Sequence, residues 1–385
     1  MTAKQKVKDM LALADVLIDG DRPWDIKVHD ERLYARVLAQ GSLGFGEAYM
    51  DGWWDSDAVD DLIYHLISSR LDEKVTPWRL LPHYLKSKLT NQGRKSKYLE
   101  VGEKHYNTGN DLFEAMLDSR MTYTCAYWKG LESKPENLDG AQEQKLDLVC
   151  KKIGLKKGDH VLDIGCGWGS FAKFAVEKYG AKVTGINNSS EQIALIQKKM
   201  GNLLKTPLNP DGSIDVKVMD YRALTGNFDH VISLGMFEHV GDKNYRTYME
   251  TVRRVLKDDG LFLLHTIGHN RASSGVDPWI ERYIFPNGMI PQSSKVAHAF
   301  EGLFVMEDWQ NFGADYDRTL MSWDKNFDKK WVELKGTGKY SDRFYRMWKY
   351  YILSCAGAFR ARVGIELWQI VLSPRGVPGG YSRVS

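Results

Sequence analysis

The stretch VLDIGCGWGS, residues 161–170, constrains the fold of this 385-residue chain more than any other. Val161, Leu162 and Ile164 form a short apolar run around Asp163, and glycines follow at 165, 167 and 169. The run reads as a buried strand, and the glycines let the backbone take left-handed conformations and approach a ligand closely. Helical periodicity resumes at 170–179, so the unit is strand, glycine turn, helix. Such a unit aims backbone N–H groups and a helix N-terminus at whatever it holds. A Walker loop would need GxxxxGK[ST], and no such lysine is present. A dinucleotide fingerprint would need GxGxxG or GxGxxA and an acid after the second strand. Here the glycines run GxGxG, position 170 is serine, and Asn187 stands where the acid would sit. A ligand carrying a carboxylate, a ribose and a positive charge fits better. A tight turn that binds nothing is the minority reading.

From residue 158 the apolar runs HVLDIG, KVTGI, DVKVM, HVISLG and LFLLHTIG alternate with helical segments at 170–179, 190–200 and 244–256. That alternation predicts a parallel sheet with helices on both faces, and further strands at 303–309 and 366–373 would complete seven. Before residue 158 no alternating strand pattern occurs. Helical periodicity at 5–19, 30–39 and 58–70, around the glycine-rich GSLGFGEAYMDGWW, predicts a small helical domain over 1–78. A catalytic domain is expected over 99–385. Between them lies RLLPHYLKSKLTNQGRKSKY, residues 79–98, with Arg79, Lys86, Lys88, Arg94, Lys95 and Lys97 and no carboxylate. It reads equally as a solvated linker or, with its interleaved leucines, as an amphipathic surface-binding helix.

The balance of 53 basic to 50 acidic side chains leaves a net charge of +3, so the whole-chain charge names no partner, though local charge can, and no nucleic-acid partner is expected. The N-terminus lacks a signal-peptide core and no uninterrupted apolar stretch would span a bilayer, so a cytoplasmic protein is expected. Four cysteines lie far apart without a CxxC pair, which argues against a metal site or a disulfide framework. The 12 Trp, 19 Tyr and 14 Phe exceed what a core alone requires.

DIGCGWG resembles the first motif of S-adenosylmethionine-dependent methyltransferases, with Asp163 as the acid near the methionine end. EKHYNTGNDLFEAMLDSRMTYTCAYW, GMFEHVGDKNY, LLHTIG, DPWIERYIFPNG, MEDWQNFGADYDRTLMSW and CAGAFRAR, in this order, resemble the cyclopropane-fatty-acyl-phospholipid synthases and, more distantly, their mycolic-acid-modifying relatives. The similarity covers nearly the whole chain. Thr124 departs from the serine common in that motif but keeps a hydroxyl.

The resemblance implies an α/β fold: a seven-stranded Rossmann-like S-adenosylmethionine methyltransferase domain preceded by a small helical domain. It implies methylene transfer to the cis double bond of a phospholipid acyl chain, in a homodimer associated peripherally with the inner face of the membrane. For the cofactor it points to Tyr123, Thr124, Asp163, Gly165, Gly167, Trp168, Gly169, Asn187, Gln192, Met219 and Asp220. It implies a bound bicarbonate as base, held by Cys125, Glu238, His265, the backbone of Ile267 and Tyr316. Cys355 has also been assigned to the chemistry, but no covalent enzyme step needs it, so packing is the better reading. Aromatic faces would stabilise the intermediate carbocation. Two alternatives share the cofactor residues: a lipid methyltransferase giving a methyl-branched product, and a membrane-surface protein that only binds S-adenosylmethionine. The Glu238, His265, Tyr316 set speaks against the second.

Overall fold

The chain divides into two units that do not follow chain order. The computed structural model describes residues 1–71, 109–207, 209–271 and 276–384, and the stretch at 79–98 lies outside them. Among the described residues, the first unit takes 1–71, 276–288 and 313–365, and the second takes the remainder. Helices from the C-terminal third therefore pack with the N-terminal ones.

In the first unit, α1 (Ala3–Ala12) is capped by Thr2, whose hydroxyl accepts from Gln5 N at 3.2 Å. The helix expected to run to residue 19 stops at Ala12. Asp15 and Asp19 both take φ +55°, and the Asp25 carboxylate draws the chain into a turn by accepting from Leu17 N and Arg22 N. A ribbon of β1 (Lys27–Val28) and β2 (Trp54–Asp55) flanks α2 (Arg32–Gln40) and α3 (Ser42–Met50). The glycine-rich segment is thus a helix, and tertiary packing overrides its poor propensity. A Cβ at Gly46 would lie 2.7 Å from Tyr350 Cε1 and 2.8 Å from Trp279 Nε1, so only glycine lets α3 approach these rings. The unit is completed by α4 (Val59–Ser68), α10 (Pro278–Tyr283), α12 (Gly313–Gly336) and α13 (Asp342–Ala361). Where α13 crosses α4, a Cβ at Gly357 would collide with the Asp60 carbonyl. Nearby, Arg360 pairs with Asp60 at 2.7 Å, with Asp317 at 3.0 Å, and with Asp61. The CAGAFR motif therefore has a packing reason.

The second unit opens with α5 (Asn110–Met116) and α6 (Leu138–Lys152). Its seven-stranded sheet has the order β5-β4-β3-β6-β7-β9-β8. The parallel part comprises β3 (His160–Ile164), β4 (Lys182–Asn187), β5 (Ile214–Val218), β6 (Phe228–Leu234) and β7 (Leu256–Gly268). Both pairings of β9 (Glu366–Ser373), with β7 and with β8 (Val305–Asn311), are antiparallel. The sheet is therefore mixed rather than wholly parallel as expected, because apolar patterning reports burial and not strand direction. Helices α7 (Ser170–Tyr179), α8 (Ser190–Lys199), α9 (Tyr245–Val255) and α11 (Ser293–Phe300) supply the crossovers and covering layers.

Strand alternation divides the core in two. Leu162, Ile164, Val231, Phe262 and Ile370 share one cluster with Tyr248 and Val252 of α9 and Val296 of α11. Val161, Val183, Ile232, Leu263 and Val371 share the other with Leu146 and Val149 of α6 and Phe171 of α7. Burying each such side chain contributes roughly 1.5–3 kcal/mol. Trp54, Trp279, Trp323 and Trp348 are fully buried in the first unit, and Trp128 and Trp368 in the second. Core packing thus accounts for much of the aromatic excess. Among the described residues, no helix is long and apolar enough to cross a membrane.

Candidate active site

The sheet reverses strand order beside β3, which has β4 on one side and β6 on the other. Ligands in open α/β sheets bind at such a switch point, beyond the carboxyl ends of the strands. A partly open cleft lies there. Tyr123, Thr124, Asp163, Gly165, Gly167, Trp168, Asn187 and Gln192 all line it, joined by Leu234, Gly235, Met236 and His239.

The turn is built by its glycines. Gly165, Gly167 and Gly169 take φ of +91°, +52° and +81°. A Cβ at Gly165 would lie 2.7 Å from Met236 Cβ, whereas one at Gly167 would meet no atom within 4 Å. Gly165 and Cys166 N–H groups donate to Ile186 O, and Gly169 N–H donates to Cys166 O, which also closes the turn onto α7. What the turn offers a ligand therefore centres on Gly167. Across the cleft, the Asn187 amide donates to Gly167 O at 3.1 Å and to Gln192 Oε1 at 2.7 Å, and its own oxygen accepts from Ser189 N. That chain leaves the Gln192 NH2 group as the donor on this side.

Asp163 is 2% exposed, and among the described residues no donor bonds its carboxylate. Burial raises its pKa to about 7, with the charge of Lys145 opposing the rise. Two polar side chains on the buried face of α6 hold the opposite wall. Gln142 donates to the carbonyls of Thr122 and Thr124, at 3.2 and 2.8 Å, and Lys145 Nζ donates to Thr124 Oγ1 at 2.8 Å. Asp118 completes the staple by accepting from Thr122 N at 2.6 Å. Aromatic rings back this wall: Phe113 lies edge-on to Tyr123 at 5.0 Å and tilted against Trp168 at 4.8 Å, and the Trp168 indole donates to Asn110.

Glu238 and His265 lie next to the cleft at the ends of β6 and β7. Leu234 is paired with His265, and Gly235 N donates to His265 O at 2.9 Å. Glu238 Oε1 accepts from Ile267 N at 2.7 Å, which spends that N–H and leaves the Ile267 carbonyl, itself accepting from Thr266 Oγ1. Glu238 Oε2 and His265 Nε2 are buried with no partner among the described residues. The other ring nitrogen of His265 meets the Gln369 amide at 3.3 Å. Desolvation lifts Glu238 to about 7 and holds His265 neutral, well below its ordinary value. Burial likewise lowers His239 to about 4. Cys125 is buried, with its thiol against Ala126 O at 3.1 Å.

Of the remaining expected residues, Met219 and Asp220 belong to this unit, and Tyr316 and Cys355 to the first. Met219 packs on the core, and the Asp220 carboxylate accepts from Arg222 at 2.7 Å; neither lines the cleft. Tyr316 belongs to α12 in the first unit, its ring 4.6 Å from Phe359. Cys355, on α13 of the same unit, has its thiol pushed up to about 12 by desolvation, which keeps it protonated.

Sequence comparison fits this geometry. The profile of the mycolic acid cyclopropane synthetase family matches residues 93–370. The chain belongs to this family. It is 45% identical over 379 residues to the cyclopropane-fatty-acyl-phospholipid synthase of Escherichia coli (strain K12), covering 97% of this chain and 93% of that one. A probable fatty acid methyltransferase of Pseudomonas putida is 35% identical over 277 residues, covering 69% and 67%. Among solved structures, the mycolic acid cyclopropane synthase CmaA1 complexed with SAH and CTAB superposes with a TM-score of 0.62 at 28% identity, covering 71% of this chain and 97% of that one. In this member of the mycolic acid cyclopropane synthetase family, sequence reading overlooked Gln142 and Lys145. Their signal was helical phase: Leu138, Gln142, Lys145, Val149 and Lys152 share the buried face of α6.

Proposed function

We propose that the chain transfers a methylene group from S-adenosylmethionine to the cis double bond of an unsaturated phospholipid acyl chain, forming a cyclopropane ring. The observation that carries this reading is a methyltransferase-type cleft lined by the buried Asp163, with two polar atoms, on Glu238 and His265, that are buried without a partner among the described residues at the neighbouring strands β6 and β7. Asp163 suits the ammonium of the cofactor's methionine end, Gly167 its carboxylate, and Gln192 the ribose hydroxyls. Tyr123 and Trp168 line the cleft, where aromatic rings would favour a cation.

The alkene π pair attacks the sulfonium methyl carbon as the carbon–sulfur bond breaks, releasing S-adenosylhomocysteine and leaving a carbocation. Loss of one proton from the new methyl group then allows the second carbon–carbon bond to close. An alkene is a weak nucleophile, so orientation and exclusion of water supply much of the rate. The buried edges of Glu238 and His265, with Cys125 and the Ile267 carbonyl, fit a small hydrogen-bonding anion. Bicarbonate held there would supply the base for that proton. The neutral imidazole of His265 can exchange a hydrogen bond with it without adding charge, and the Glu238 carboxylate, raised to about 7, can accept the ion's own O–H.

Bilayer lipid is the proposed partner, met at the membrane surface, and the assembly is proposed to be a homodimer. Incubation with S-adenosylmethionine and unsaturated phospholipid vesicles tests the activity. Acyl chains heavier by one CH2, with olefin signals lost and cyclopropane protons gained, are expected. The fatty acid methyltransferase relative favours one second reading, a methyl-branched product, which the same spectra distinguish.

A further inference from the structure

Lys145 is 1% exposed, yet among the described residues it has no ion pair, and its one hydrogen bond goes to the hydroxyl of Thr124 at 2.8 Å. A buried ammonium with two of its three donors unused is costly unless nearby anions compensate it. Around it stand Asp118 and Cys125 of the 118–125 stretch, Asp163 of β3 and His265 of β7. Asp118 already accepts from Thr122 N and Arg120 N, whereas the Asp163 carboxylate has no donor among the described residues. Asp163 also faces Cys166, whose burial keeps the thiol protonated. Among the described residues, Lys145 is the cation whose charge acts on Asp163, and it touches the same wall of the cleft through Thr124.

We infer that Lys145 is a positioning residue for the methyl donor: it fixes Thr124 in the wall of the cleft by hydrogen bond and supplies the buried positive charge that favours the anionic form of Asp163, the form that would receive the donor's ammonium. This inference rests on the placement of the cofactor proposed above. In a low-dielectric interior two charges interact beyond hydrogen-bond range, so no direct ion pair is needed. Burial alone would hold Asp163 protonated; the lysine offsets that. The direction of the shift agrees: among the described residues, Lys145 is the group whose charge opposes the burial that raises the Asp163 pKa. The lysine's own value falls to about 8, so the ammonium is present through the neutral range.

The test is S-adenosylhomocysteine binding by calorimetry between pH 6 and pH 9 on the full chain. Lys145→Met keeps the volume and removes the charge; Lys145→Gln also keeps a tip that can bond Thr124. Both should move the midpoint of the affinity profile upward by at least about one pH unit, weakening binding roughly fivefold more at pH 7 than at pH 9. A residue that only packs would weaken binding equally at every pH. Folded variants with an unmoved midpoint overturn the inference. Should neither fold, Thr124→Val decides: stripping the ammonium of its acceptor should also raise the midpoint, whereas a lost cofactor contact would leave it in place, and that outcome overturns the inference too. Asp163→Asn separates this failure from the failure of the underlying reading. Full affinity in that variant would remove Asp163 from the site, and weak affinity beside an unmoved Lys145→Met midpoint would overturn the Lys145 role alone.

Discussion

Replacing Asp163 by asparagine should make the chain more stable and less able to bind its donor. The carboxylate is buried with no bonding partner among the described residues and titrates at about 7, well above its ordinary 3.8. The folded chain thus holds that proton more tightly than the unfolded chain does, so ionisation opposes folding. The loss begins as pH rises past about 4 and is complete above about 7. At pH 8, Asp163→Asn should therefore raise stability by on the order of 2–4 kcal/mol, with little change at pH 4. Binding follows the opposite sign. If only the anion receives the donor's ammonium, affinity scales with the ionised fraction, about one-eleventh at pH 6 and ten-elevenths at pH 8. Wild-type affinity for S-adenosylhomocysteine should then rise about tenfold between those values, worth about 1.4 kcal/mol. Near pH 7 binding should release about half a proton, visible as buffer-dependent heat in calorimetry. Asp163→Asn should bind weakly at both pH values, with the dependence gone. A flat wild-type profile, or wild-type affinity in the variant, would refute the reasoning.

Glu238→Gln should leave S-adenosylhomocysteine affinity within about twofold while slowing product formation roughly 100-fold or more, the scale of a lost acid–base function; equal losses in both would show that Glu238 acts on the cofactor. Depleting dissolved carbonate should slow the wild type more than this variant. Gly46→Val should destabilise the first unit by about 1–3 kcal/mol through overpacking against Trp279 and Tyr350, read as a lower unfolding midpoint; an unchanged midpoint would mean that α3 does not need its close approach. Neutralising Arg94, Lys95 and Lys97 should weaken sedimentation with anionic vesicles, each cation being worth about 1 kcal/mol near the surface and screened by salt. Unchanged vesicle binding would reduce the 79–98 stretch to a linker.

The part of the site that was legible in the sequence is the part set by local backbone demands. Three glycines after an apolar strand require a particular turn whatever surrounds them, and all three take positive φ. The strand at 366–373 occupies the expected residues, and the one at 303–309 appears two residues later, because alternation fixes a buried face better than it fixes an end. What distant partners decide was not legible. α3 forms because Trp279 and Tyr350, more than 200 residues away, press against Gly46, and no local propensity carries that information. Lys145 and Gln142 sit on a helix where polar residues ordinarily face water, and only their phase with Leu138 and Val149 marks them as buried. The Asp220 carboxylate accepts from Arg222 two positions on, a local partner that spacing to the third strand does not reveal.

Ring closure is the step that separates this chemistry from simple methylation, because it removes one hydrogen from the carbon that the donor delivers. S-adenosylmethionine labelled with a trideuterated methyl group, incubated with unsaturated phospholipid vesicles, follows that carbon directly by mass spectrometry and NMR. The account predicts a cyclopropane whose bridging carbon keeps two deuterons, the third having been lost to the base. A product retaining all three would be methyl-branched, and it would contradict the assignment of this chain as a cyclopropane-forming enzyme.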